Sequence, residues 1–237
     1  MAESTAISVP TVAGGARGRA SVRSQGLDRV VSLRPLGYET GDLVARVLVS
    51  ALFLALAIRI AGNTVQTGRV TGLLLLASEA LVVVLMIIRR PSIDVDRRWF
   101  VRLITLLSIV GPPLVRPVAT LAGREDVATA MVSALGLAFV ILSKLALGRS
   151  FGLVPANRGV VSSGPYRLVR HPIYLGYLVT HLAFLASNLT IWNVLMLGAA
   201  DTALLVRAVY EERTLEHDAA YLTYRARVRW RIVPRVF

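Results

Sequence analysis

The chain has 237 residues, of which 55% are apolar and only 17% charged, and its mean hydropathy is +0.63. Soluble domains carry about 25% charged residues, so this composition excludes a disordered chain and an ordinary soluble enzyme. The absence of Cys excludes disulfides, thiolate metal sites and a catalytic thiol, and three His residues argue against a multi-histidine metal centre. The net charge of +13 comes from 26 Arg and one Lys against 14 acids, which suits anionic lipid or nucleic acid unless the Arg residues are topogenic.

Residues 1–42 are rich in Ala, Gly, Ser and Arg and hold no sustained apolar run, so they read as a flexible basic tail. Leu27 to Tyr38 offers at most a short interfacial helix, interrupted by Pro35 and Gly37. Apolar segments follow at 43–61, 70–88, 101–122 and 127–147, each long enough to cross a bilayer at about 1.5 Å per residue. Gly111-Pro112-Pro113 is expected to kink the third. Two further arms, 173–187 and 189–209, meet at Asn188 and read as a tight helical hairpin. The predicted fold is therefore all-α: a polytopic membrane helix bundle of about six segments. It divides into the tail, a four-helix region 43–147 and a hairpin-bearing region 148–237.

The Arg residues decide between lipid and nucleic acid. The tail, 89–102, 148–172 and 207–237 together hold 21, whereas the alternate loops hold only Arg69 and Arg124. That asymmetry is a positive-inside pattern. It predicts an integral membrane protein, as in a bacterial inner membrane, with both termini and the 148–172 loop cytoplasmic, and no nucleic-acid partner. Inside the spans, Glu79, His181 and Asp201 stand out, because an intramembrane ionisable group is costly and marks function or a packing device.

The motif-dense segments are cytoplasmic: Arg158-Gly-Val-Val161, Gly164-Pro-Tyr-Arg-Leu-Val-Arg-His-Pro-Ile-Tyr-Leu-Gly176, and, beyond the hairpin, Arg207 to Glu212, Tyr221 and Tyr224. Antiparallel arms bring the start of the first beside the end of the second. The convergent set is Tyr166, Arg170, His171, Tyr174, Arg207, Glu211 and Glu212. It combines cations for a carboxylate, carboxylates for a cation, and aromatic faces for a base or a sulfonium. Interfacial anchoring, lipid phosphate binding and a plain Arg207–Glu211 helical pair are the structural alternatives.

The Arg-His-Pro-x-Tyr-x-Gly run at 170–176, the hairpin, Glu211-Glu212 and the later Tyr-x-x-Tyr closely resemble the isoprenylcysteine carboxyl methyltransferase family, a wider group of membrane methyltransferases that includes phospholipid N-methyltransferases. The resemblance covers about residues 145–235. It implies S-adenosylmethionine as cofactor, no metal, a lipophilic acceptor entering from the bilayer, and a C-terminal cytoplasmic segment that closes the cofactor pocket. Carried over by position, the cofactor contacts are Arg158, Gly159, Val160, Val161, Tyr166, Arg170, His171, Pro172, Ile173, Tyr174, Glu211 and Glu212. Arg207 is implied for substrate binding, and Arg207 and Glu211 for catalysis. The implied reaction is carboxyl O-methylation, with phospholipid or amine N-methylation as the alternative, in which Glu212 takes the nucleophile's proton. Thr214 to Tyr224 is shorter than the family pattern and lacks its Gly, so a differently shaped lid is expected. A small transporter or scaffold is the non-enzyme alternative, suggested by Glu79, Asp201 and the break at Pro112-Pro113; the enzyme reading fails if the 158–176 and 207–234 segments lie apart.

Overall fold

The computed structural model describes residues 36–67, 70–96, 98–116 and 127–237. Most of the predicted tail, the Arg69 and Arg124 turns, and the end of the predicted 101–122 span lie outside these residues. The chain separates into two units, Met1–Ala45 and Arg46–Phe237; the functional residues named above all belong to the second.

Seven α-helices make up nearly all of the described structure: α1 Leu36–Thr67, α2 Val70–Ile88, α3 Trp99–Val110, α4 Val127–Leu147, α5 Pro172–Ser187, α6 Ile191–Leu215 and α7 Ala219–Arg227. Two of these stretches, Val127–Ser150 and Ile191–Leu215, are long and apolar enough to cross a membrane, and shorter apolar helices accompany them at Leu73–Ile88, Trp99–Val110 and Pro172–Ser187. Helix suits such sequences because every backbone donor finds its acceptor within the segment. The polarity is inverted relative to a soluble protein. Leu52, Ile58, Leu135, Leu142 and Leu195 are exposed, while Ser78, Glu79, Lys144 and Asn193 are buried.

The third predicted span is corrected. Its helix ends at Val110, and Pro112–Leu114 forms a short 3-10 turn. Consecutive prolines remove two amide donors and clash with the preceding turn, so the helix stops instead of kinking. Twelve residues of α3 reach about 18 Å, well short of about 30 Å of hydrocarbon.

Packing is set by small residues. α4 lies along α5, α2 against α4, and α3 against α6. A Cβ built on Gly176 of α5 would lie 2.6 Å from Val140 Cγ2 and 2.9 Å from the Gly136 carbonyl oxygen, so the two backbones touch there. At the hairpin tip, Thr190 caps α6 by accepting from the Asn193 amide at 3.1 Å. The fully buried Asn193 side chain in turn bridges Arg116 and Asn188.

A two-residue antiparallel ladder pairs Asp94 with Asn157 and Val95 with Ala156 (β1, Asp94–Val95; β2, Ala156–Asn157). With Arg90 N donating to Arg149 O at 2.7 Å, it fixes the 148–161 loop beside the exit of α2.

Candidate functional site

Pro172 opens α5 at its first turn, where no amide donor is needed. This leaves Arg170 and His171 outside the helix, and their amides donate to the Trp230 and Arg231 carbonyls at 2.9 and 2.8 Å. The C-terminal segment is thereby strapped across the start of α5. α6 continues past its apolar stretch to Leu215, so Arg207, Glu211 and Glu212 ride on its last two turns.

Adjacent residues on a helix point about 100° apart, and the two glutamates have separate surroundings. Glu212 is 2% exposed and saturated with cations: Arg170 donates from Nε at 2.9 Å and Nη2 at 3.2 Å, His171 Nε2 lies at 3.1 Å, and Arg231 Nε at 3.1 Å. Glu211 keeps 20% of its side chain exposed. It accepts from Tyr174 Oη at 2.5 Å and Arg207 Nε at 3.0 Å, and its other oxygen lies 3.5 Å from His171 Nδ1. His171 thus stands between both carboxylates and stacks on Tyr174, with ring centres 5.2 Å apart. The Arg207 guanidinium covers the same tyrosine ring at 5.3 Å.

Burial pushes the His171 imidazole down, but hydrogen bonds and charge from Glu211 and Glu212 more than offset it, so its pKa stands above the ordinary value. Burial raises the Tyr166 phenol well above its usual range, with the Glu211 and Tyr224 charges adding to the effect, and burial raises Tyr221 and Tyr224 as well. All three remain neutral phenols at physiological pH.

The 148–161 loop forms the next wall. Gly159 has φ of +97°, a conformation that side chains disfavour, and its amide donates to Asn157 Oδ1 at 2.9 Å. Asn157 Nδ2 reaches Asp218 at 2.9 Å, tying this loop to the residue that caps α7. The Arg158 guanidinium lies over Gly152, where an added Cβ would fall 2.4 Å from Nη1. Tyr224 Oη donates to the Tyr166 carbonyl at 2.8 Å, so α7 closes onto the 164–167 turn.

These walls form one end of a partly open cavity of about 1280 Å³ in all, above the usual range of about 300–1,000 Å³ for ligand pockets. Arg158, Gly159, Val160, Val161, Tyr166, Arg170, His171, Ile173, Tyr174, Arg207 and Glu211 all line it, together with Tyr221 and Tyr224. Pro172 and Glu212 are not among its lining residues: the first is spent on starting α5, the second on holding Arg170, His171 and Arg231 together. The 158–176 and 207–234 segments meet, as the enzyme reading requires.

The cavity also runs between the apolar helices, past Glu79, Lys144, Tyr177 and His181. His181 is satisfied through Nδ1 by Asp201 at 2.6 Å. Lys144 was missed by the sequence reading, although the chain's one lysine in an apolar run carries the same mark as Glu79. Among the described residues no cluster of His, Asp and Glu is arranged to hold a metal.

Residues 128–217 match the isoprenylcysteine carboxyl methyltransferase (ICMT) family. A 75-residue stretch is 44% identical to a protein named methanethiol S-methyltransferase 2 from Bradyrhizobium diazoefficiens, covering 30% of this chain and 27% of that protein. The similarity thus spans about a quarter of that relative. The matched segment takes in α4, the 148–167 loop, the hairpin, Arg207 and both glutamates, so the chain is similar to the ICMT family over the region that carries the site.

Proposed function

We propose that the protein is an integral membrane methyltransferase that uses S-adenosylmethionine to methylate a lipophilic, membrane-resident acceptor. The single observation that carries this reading is the cavity that joins a charged, tyrosine-rich chamber to an apolar passage between helices. The donor set fits the cofactor. Glu211, with part of its carboxylate exposed, suits the ammonium of the amino-acid end, and Arg158 suits its carboxylate, while His171, bonded to both glutamates, holds Glu211 in position. The Gly159–Val161 backbone offers a wall without bulk, and Tyr166 and Tyr174 supply faces for the adenosine and sulfonium. Tyr221 and Tyr224 on α7 close this chamber in the proposed reading, as the cytoplasmic C-terminal lid.

When bound, S-adenosylmethionine supplies an electrophilic methyl group on a sulfonium. The protein's own task is then to align the acceptor behind that methyl and to exclude water. Tyr174 and His171 hold Glu211 in place, and the Arg170–Glu212–Arg231 contacts keep the C-terminal strap shut. Arg207 orients the acceptor's nucleophilic atom at the junction of chamber and passage. In the carboxyl O-methylation reading its guanidinium pairs with the acceptor carboxylate. A second reading, S-methylation of a lipophilic thiol, is favoured by one contact. Glu211 already balances the Arg207 charge, at 3.0 Å, which leaves less of it for an anionic acceptor, and the named relative is a thiol methyltransferase.

Calorimetric binding of S-adenosylhomocysteine to detergent-purified protein tests the cofactor assignment. Micromolar binding by the wild type, lost in Glu211→Ala and His171→Ala, is expected; folded wild-type protein that does not bind overturns it. Arg207→Ala separates the acceptors: it abolishes transfer to a carboxylate but reduces transfer to a thiol only partly.

A further inference from the structure

Glu79 on α2 and Lys144 on α4 are charged-type side chains of the cavity that lie outside the machinery described so far. Lys144 is 1% exposed, and its ammonium donates to Ser78 Oγ at 2.7 Å and to the Ser78 carbonyl at 3.0 Å. It also lies 5.5 Å from the centre of the Tyr177 ring. Glu79 is 6% exposed, lines the cavity, and has an oxygen, Oε2, that accepts no hydrogen bond among the described residues. The walls around this pair, among them Phe53, Leu75, Val82 and Leu137, are apolar.

A buried carboxyl without a partner is costly. Lys144 is the cation at hand, yet its hydrogen bonds go to Ser78, so it fixes the neighbouring serine instead of saturating the acid. Rotation about the last Glu79 torsion is soft and presents either oxygen to the cavity. The protein therefore leaves an acceptor unmatched within an otherwise greasy passage, and a ligand can complete it.

We propose that Glu79 is a specificity residue that receives a hydrogen-bond-donating group, such as a hydroxyl, at the far end of an amphiphilic acceptor. The acceptor lies along the passage with its reacting atom toward Arg207 and its donor group at Glu79. The chain length between the two groups is then read by the distance between these poles. The identification of the ligand as a methyl acceptor rests on the function proposed above; the polar subsite itself does not.

The probes are a hydroxyl-terminated alkanethiol and the plain alkanethiol of equal length, taken through a series of lengths. Equilibrium binding in one detergent is compared between wild type and variants as the ratio of the two affinities, so that partitioning into micelles cancels. At a matching length the wild type binds the hydroxylated probe about tenfold more tightly, the scale of one hydrogen bond to a carboxylate. Glu79→Leu loses that preference, and Glu79→Gln retains part of it. A ratio that is the same in wild type and Glu79→Leu overturns the proposal.

Should Glu79→Leu not fold, labelling of the wild-type carboxyl with a lipophilic carbodiimide decides. The hydroxylated probe protects Glu79 and the plain one does not; equal protection overturns the proposal. S-adenosylhomocysteine affinity is measured on the same samples. Its absence in the wild type counts against the methyltransferase reading alone, while a persisting hydroxyl preference keeps the subsite.

Discussion

Glu212→Ala separates two adjacent glutamates that sequence alone treats alike. Its carboxylate is 2% exposed and holds Arg170 by two hydrogen bonds of 2.9 and 3.2 Å, His171 Nε2 at 3.1 Å and Arg231 Nε at 3.1 Å. Removing it strands three cationic groups around a void. Loss of one member of a buried charge network costs about 3–5 kcal/mol. Arg231 keeps 22% of its side chain exposed and can turn toward water, which places the cost near the lower end, about 3 kcal/mol. For a chain of this size each kcal/mol lowers the melting midpoint by about 2–4 °C, so Glu212→Ala melts about 10 °C lower in detergent. The strap loses its anchor at the same time, because the Arg170 and His171 amides hold Trp230 and Arg231 only while the start of α5 is in place. Trypsin then cuts at Arg229, Arg231 and Arg235 sooner than it does in the wild type. Glu211→Ala, whose carboxylate lines the cavity, loses cofactor binding and keeps the wild-type tryptic pattern at the strap. A Glu212→Ala protein that melts within about 2 °C of wild type and shows an unchanged tryptic pattern would falsify the assignment of Glu212 to the strap.

Three further outcomes follow from the geometry. The His171 pKa is raised in the folded protein, so its stabilising contribution is complete below the ordinary value of 6.5 and is lost as pH rises through the raised value. The melting midpoint of the wild type therefore falls as pH climbs above 6.5, and His171→Gln flattens that slope; parallel slopes refute the raised imidazole pKa. Gly176→Val drives side-chain atoms into Val140 and the Gly136 carbonyl, and overpacking of this kind costs about 1–3 kcal/mol or more; a midpoint equal to that of wild type means α4 and α5 are not in backbone contact. Asp201→Ala leaves the buried His181 Nδ1 without its partner at 2.6 Å and costs about 1–3 kcal/mol. Asp201→Asn, which keeps a hydrogen-bonding group, recovers part of the lost midpoint, and equal losses in both variants argue against the pair.

Much of the architecture is legible in the linear chain, because a hydrocarbon solvent imposes simple rules. Apolar runs must be helical, and α2 and α4 occupy the predicted stretches 70–88 and 127–147. Pro172 marks the start of α5 and Asn188 the hairpin turn, since each disfavours continuing a helix through that point. The family motifs named many of the residues that gather at the cavity, though not Lys144, and they included Pro172 and Glu212, which do not line it; a hairpin must bring its ends together whatever else the chain does. Hydropathy did not predict that α3 would stop at Val110. Nor did it foresee the β1–β2 ladder, whose two-residue strands are too short to leave a periodic trace.

The division of labour between Glu211 and Glu212 was open at the level of sequence, because adjacent identical residues differ only in the direction they point. The 100° between them turns one toward the cavity and the other toward the strap, and only the packed position of α5 and the C-terminal segment gives those directions meaning. The same holds for Glu79 and Lys144, which are 65 positions apart in sequence. Composition marks each as costly in an apolar run. Helix packing alone brings both to one cavity, with Lys144 bonded to Ser78 and a Glu79 oxygen left without a hydrogen-bond partner among the described residues.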